Sequence, residues 1–112
     1  MTYNNTNIRI AVLITINNRY EETIKCLKCI EEQIDIDNFI IEIYISDSSL
    51  TDFKFKNYKH KIIYSKVDND VFWNRGMINS WNMASVKNYD FYLWLCNDTY
   101  LVKNAISMLY KD

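Results

Sequence analysis

The chain has 112 residues, of which 49% are hydrophobic and 15% aromatic, a composition that excludes wholesale disorder and suits one domain with a single modest core. Thirteen basic residues stand against fourteen acidic ones, so no net field steers the protein onto nucleic acid or an anionic membrane. No apolar run approaches the ~20 residues that span a bilayer, and Met1 to Asn7 has neither the basic start nor the apolar stretch of a signal peptide. The expectation is a frayed tail over residues 1–7, a domain over residues 8–112, and a cytoplasmic location without a transmembrane segment.

Ile8 to Ile16 is apolar and β-branched and predicts a buried strand that stops at the turn-forming pair Asn17 and Asn18. Tyr20 to Gln33 predicts a helix: Ile24, Cys26, Leu27 and Ile30 share one face, and the early acids Glu21 and Glu22 suit the helix dipole. Phe39 to Ile45 reads as a second strand, ending in Ser46-Asp47-Ser48-Ser49, and Lys61 to Ser65 as a shorter third. Val67 to Trp73 reads as a loop. Asn74 to Val86 then predicts a helix, with Met77, Ile78, Trp81 and Ala84 at helical spacing. Phe91 to Leu95 is wholly apolar and reads as an inner strand covered on both faces, delivering Asn97-Asp98-Thr99 at its end. Lys103 to Tyr110 is a last amphipathic helix, with Ala105, Ile106, Met108 and Leu109 apolar. This order of strands and helices predicts an α/β sheet with mainly parallel pairing.

Parallel strands would bring three polar turns to one edge of the sheet. The first carries Thr15, Asn17, Asn18 and Arg19, the second Asp47, Ser48 and Ser49, and the third Asn97, Asp98 and Thr99. Oxygen-bearing side chains of this kind suit a ribose or base edge and a hard divalent cation, although Asn, Asp and Thr also favour plain turns. With one glycine, neither a P-loop nor a dinucleotide fingerprint can be written. Cys26-Leu27-Lys28-Cys29 lacks the second ligand pair of a zinc site and falls inside the first helix, so buried, reduced thiols are expected. Two glycosylation-type tripeptides, at Asn4 and Asn97, matter only in a secreted protein. Asp68-Asn69-Asp70 reads as a solvated loop, and Trp73, Trp81 and Trp94 as core or pocket wall. Arg75, near the start of the second long helix, suits either a phosphate or a surface ion pair.

Together these pieces resemble a family 2 glycosyltransferase of the GT-A fold, in a rhamnosyltransferase-like branch. The resemblance runs over residues 8–110 and rests on the order of IAVLITINNRYEETIKCLKCIEEQ, IEIYISDSSLTD, DVFWNRGMINSWNMA and YDFYLWLCNDTYLVKNAISML. It implies a Rossmann-like three-layer sandwich, truncated, with a mainly parallel sheet of about four strands between helices. It implies that Thr15 and Asn18 border the pocket of a nucleotide-diphosphate sugar and that Asp47 and Ser48 lie against base and ribose. Asn74 and Arg75 would line the donor sugar and phosphate side, and Asp98 would hold Mg²⁺ or Mn²⁺. The sequence departs from the family pattern at Cys96, the first position of the metal motif, and at Ser48, in the earlier acid pair. The family's acceptor segment and general base lie beyond the last motif, so no residue here is assigned that role. The expected protein is the donor half of an inverting glycosyltransferase, completed by a second polypeptide or by self-association, or alternatively a non-catalytic nucleotide- or protein-binding domain on the same scaffold.

Overall fold

The computed structural model describes residues 8–34, 36–50, 57–70 and 73–111. The expected tail, the tripeptide at Asn4 and the end of the Val67 to Trp73 loop at Val71 and Phe72 lie outside the described residues. Four strands, β1 (Ile8–Ile16), β2 (Phe39–Asp47), β3 (Lys61–Lys66) and β4 (Phe91–Cys96), form one sheet in the order β3-β2-β1-β4, parallel throughout. Helices α1 (Tyr20–Glu31), α2 (Trp73–Ala84) and α3 (Ala105–Lys111) flank it, with a 3-10 turn at Ile36–Asn38 before β2. The chain is an α/β protein with a parallel sheet and helices on both faces.

The hydrophobic runs of β1 and β2 are explained by burial on both sides. Ile10, Val12, Ile14 and Ile16 of β1 pack with Leu27 and Ile30 of α1 and Ile106 of α3. The intervening Ala11 and Leu13 pack with Tyr44 of β2 and Met77 and Ala84 of α2 on the opposite face. Alternate side chains of a strand point to opposite faces, so a strand clad on both sides must be apolar at every step. At the lower end of the sheet, Arg9 bonds Asn88 O at 2.6 Å and the Asp90 carboxylate at 2.8 Å, tying the entry to β4 onto β1.

Two sequence expectations change. β4 is an edge strand, with only β1 beside it among the described residues; Leu95 alone is buried, and Phe91 and Trp94 are each 46% exposed. Its apolar run reflects an aromatic half-cover, in which Trp81 of α2 meets Tyr92 at 4.8 Å and Trp94 at 5.9 Å between ring centroids, and not enclosure. On α1 the buried stripe is Thr23, Cys26, Leu27 and Ile30, and Ile24 points outward; on α2 it is Gly76, Met77, Ser80 and Ala84, and Ile78 points outward. The stripe is narrower than hydrophobicity alone indicates, because small and hydroxyl side chains fit closer to the sheet. α2 also begins one residue before the expected start and ends at Ala84.

Candidate functional site

The order β3-β2-β1-β4 has a direction change at its centre. From β1 the chain crosses by α1 on one face to β2 and β3; it then returns by α2 on the other face to β4, on the far side of β1. The helices that follow β1 and β4, α1 and α3, both pack on the face opposite α2, and the loops after β1 and β4 leave adjacent carboxyl ends of the sheet, the edge at which open parallel sheets take ligands. Asn17 to Arg19 follow β1 and Asn97 to Thr99 follow β4 at that edge.

Register sets which side chains meet there. Cys96, Thr15, Ser46 and Ser65 stand side by side across the four strands. Their row is tied to α2: Ser46 Oγ lies 2.7 Å from Ser80 Oγ, and Asn79 Nδ2 donates to Ser46 Oγ at 2.8 Å and to Ser65 Oγ at 3.3 Å. Thr15 is covered by Gly76, the one residue small enough for this approach, since a Cβ there would stand 2.5 Å from Thr15 Cγ2. Thr15 Oγ1 is buried and has no hydrogen-bond partner among the described residues. The close contact seats the first turn of α2, with Asn74 and Arg75 exposed, directly above the end of β1. Arg75 forms no ion pair among the described residues. The N–H groups of a helix's first turn and a guanidinium together suit an anion.

Asn18 adopts a left-handed backbone with φ 60°, which asparagine tolerates well. Its N–H donates to Ser49 Oγ, and its own side-chain oxygen accepts from Leu50 N at 3.3 Å. The loops after β1 and β2 are thus clasped together. Ser48 is buried, with its N–H donating to Ile16 O at 2.8 Å and its hydroxyl donating to the same oxygen at 3.2 Å.

Asp47 closes β2 and is fully buried, two residues further along the strand than the expected end at Ile45. One carboxylate oxygen accepts from Ser49 N at 2.9 Å; the other accepts from the Tyr64 hydroxyl and lies 4.0 Å from Lys66 Nζ. Tyr64 and Lys66 were not legible as site residues from composition, but strand alternation on β3 puts both on the side of Asp47. The carboxylate is engaged on every side by the protein itself, so a ligand meeting it would have to replace one of these bonds.

Asp98 is exposed in a turn closed by Thr99 N donating to Cys96 O at 3.0 Å. No group of three His, Cys, Asp or Glu side chains that would hold a metal occurs among the described residues. A lone carboxylate fits a Mg²⁺-type cation only where substrate phosphates complete the coordination. The three cysteines are free: Cys26 is buried, Cys29 half-buried and Cys96 exposed. Burial, reinforced by Cys29, Asp98 and Cys96, pushes the Cys26 thiol up to about 12, so it is a packing group and not a nucleophile. Asp68, Asn69 and Asp70 are solvent-exposed. A separate cavity of 270 Å³ between β4 and α3, lined by Ile10, Phe91, Leu93, Ile106 and Leu109 among others, carries no charge and does not suit a diphosphate.

The four parallel strands with flanking helices make an α/β fold with polar turns at the carboxyl edge of its sheet. The crystal structure of S. aureus TarS, a glycosyltransferase, shares it with a TM-score of 0.69 over 93% of this chain, at 17% sequence identity. The chain spans 19% of the length of TarS. No protein-family model and no curated protein matches the sequence. No helix among the described residues is long and apolar enough to cross a membrane.

Proposed function

We propose that the chain is the donor-binding portion of a family 2, rhamnosyltransferase-like glycosyltransferase, taking a nucleotide-diphosphate sugar at the carboxyl ends of β1 and β4. The observation that carries this reading is that the Asn18 loop, the first turn of α2 and the Asp98 turn all lie at the carboxyl edge of the sheet around the end of β1. In this reading Thr15 and Asn18 border the nucleotide, and Asp47 and Ser48 shape the base and ribose wall. Asn74, Arg75 and the α2 amides face the phosphates and donor sugar. Asp98 would hold a Mg²⁺ or Mn²⁺ ion, which would supply Lewis-acid neutralisation of the leaving diphosphate, worth several kcal/mol. Arg75 would offset the same charge from the helix side, and the loop clasp at Asn18 would hold the nucleotide's position. The acceptor hydroxyl and an inverting general base belong to the full transfer reaction and are assigned to no residue here.

The test is calorimetric titration of UDP, GDP and dTDP with and without Mn²⁺, using the unmodified chain and Asp98→Ala. The expected outcome is metal-dependent binding of one nucleotide that Asp98→Ala abolishes. A folded sample that binds none of them would overturn the reading. It would favour a non-catalytic scaffold instead, an alternative supported by the complete engagement of Asp47 by Ser49, Tyr64 and Lys66.

A further inference from the structure

Helix α1 grips the Asp98 turn through one buried hydroxyl. Thr23 is fully buried, and its Oγ1 donates to Arg19 O at 2.9 Å while accepting from Asn97 Nδ2 at 3.0 Å. One helical turn further, Cys26 Sγ lies 3.9 Å from Cys96 O, so the same stripe of α1 touches both residues that precede Asp98. Within the turn from Cys96 to Thr99, Asn97 is tied inward and Asp98 is left facing solvent. Arg19 ends the loop after β1, next to Asn18 with its left-handed backbone. The chain of donors therefore runs from the turn after β4, through Thr23, to the loop after β1.

We propose that Thr23 is a positioning residue that couples these two loops, so that the Asp98 carboxylate and the Asn18 loop meet one nucleotide diphosphate at a fixed separation. The inference rests on the nucleotide-sugar reading for its ligand and on the hydrogen bonds alone for the coupling. A hydroxyl is required because it accepts and donates at once. Valine keeps the branched shape, removes both bonds, and leaves the half-buried Asn97 amide without its acceptor, so the carboxamide rotates outward and releases the turn.

The experiment compares the full chain with Thr23→Val and Thr23→Ser. In UDP titrations, Thr23→Val is expected to bind within about twofold of the unmodified chain in EDTA but to lose ~10-fold of the affinity gained on adding Mn²⁺, the size of one lost hydrogen bond. Thr23→Ser restores that gain. Equal weakening with and without Mn²⁺, or no weakening, would overturn the coupling. A second measurement needs no ligand: amide hydrogen exchange in the free chain. Thr23→Val should speed exchange at Thr99 N–H, which bonds Cys96 O, while the β1 amides keep their protection. Unchanged exchange at Thr99, or faster exchange throughout β1, would refute the positioning role. If the unmodified chain binds no nucleotide, the functional reading falls and the exchange result alone decides the coupling.

Discussion

Replacing Gly76 by alanine should destabilise the protein, against the ordinary preference of helices for alanine. The added Cβ would lie 2.5 Å from Thr15 Cγ2, 2.7 Å from Thr15 Oγ1 and 3.2 Å from Thr15 Cβ. Carbon atoms pack at roughly 3.5–4.0 Å, so the overlap is about 1 Å on two atoms at once. Thr15 cannot yield easily: it is β-branched, and its strand is paired on both sides, to Ser46 and to Cys96. The strain therefore falls on α2, which is itself packed on the sheet through Met77, Ser80 and Ala84. Helix propensity returns about 1 kcal/mol, and overpacking of a buried contact costs ~1–3 kcal/mol. The overlap of two atoms against a stiff neighbour puts this site at the upper end of that range. The net loss is roughly 1–2 kcal/mol, or about 5–10 °C in Tm for a domain of this size. Equilibrium urea unfolding reads it directly. In a Thr15→Ala background the two nearest atoms are gone, so the same substitution should cost at least ~1 kcal/mol less. A Gly76→Ala protein as stable as the unmodified chain, or an equal cost in both backgrounds, would refute the argument.

Two further outcomes follow from the same structure. Asp47→Ala removes the acceptor of Ser49 N–H and the Tyr64 hydroxyl and takes from Lys66 its carboxylate partner, which should cost about 2–4 kcal/mol in urea unfolding, with Asp47→Asn milder. Unchanged stability would show that Asp47 is not a structural anchor. His60 is held below its ordinary pKa of 6.5 by burial and, secondarily, by Lys59, against smaller opposing pulls from Glu31 and Asp37. The unfolded chain binds the extra proton more readily, so this residue's contribution is fully present above pH 6.5 and is lost as pH falls through the depressed folded value. Unfolding midpoints followed downward from pH 7 should decline in the unmodified chain and flatten in His60→Gln; parallel curves would contradict this assignment.

Much of the architecture was legible in the sequence because periodicity is a local property. The β-branched run at Ile8–Ile16, the helical spacing over Tyr20–Gln33 and the apolar run at Phe91–Leu95 each declare their type without reference to the rest of the chain, and the elements formed are Ile8–Ile16, Tyr20–Glu31 and Phe91–Cys96. Burial was less legible. An apolar β4 reads as an inner strand, yet a strand's place in the sheet depends on which neighbours it pairs with, and Phe91 and Trp94 are half-exposed at its open side. Ile24 and Ile78 were assigned inward by hydrophobicity, whereas Thr23, Ser80 and Gly76 take the closest positions because their small side chains permit it.

At the carboxyl edge of the sheet, the sequence by itself determined the inventory: polar turns after β1, β2 and β4, one glycine, and an aspartate at position 98, all set by composition and order. Tertiary structure alone decided how they are used. The in-register rows bring Thr15 under Gly76 and Ser46 under Asn79, turn Asp47 inward to Tyr64 and Lys66, and connect Asn97 through Thr23 to Arg19. Those contacts join residues far apart along the chain, and their geometry depends on strand order and helix placement, which no local pattern of residues encodes.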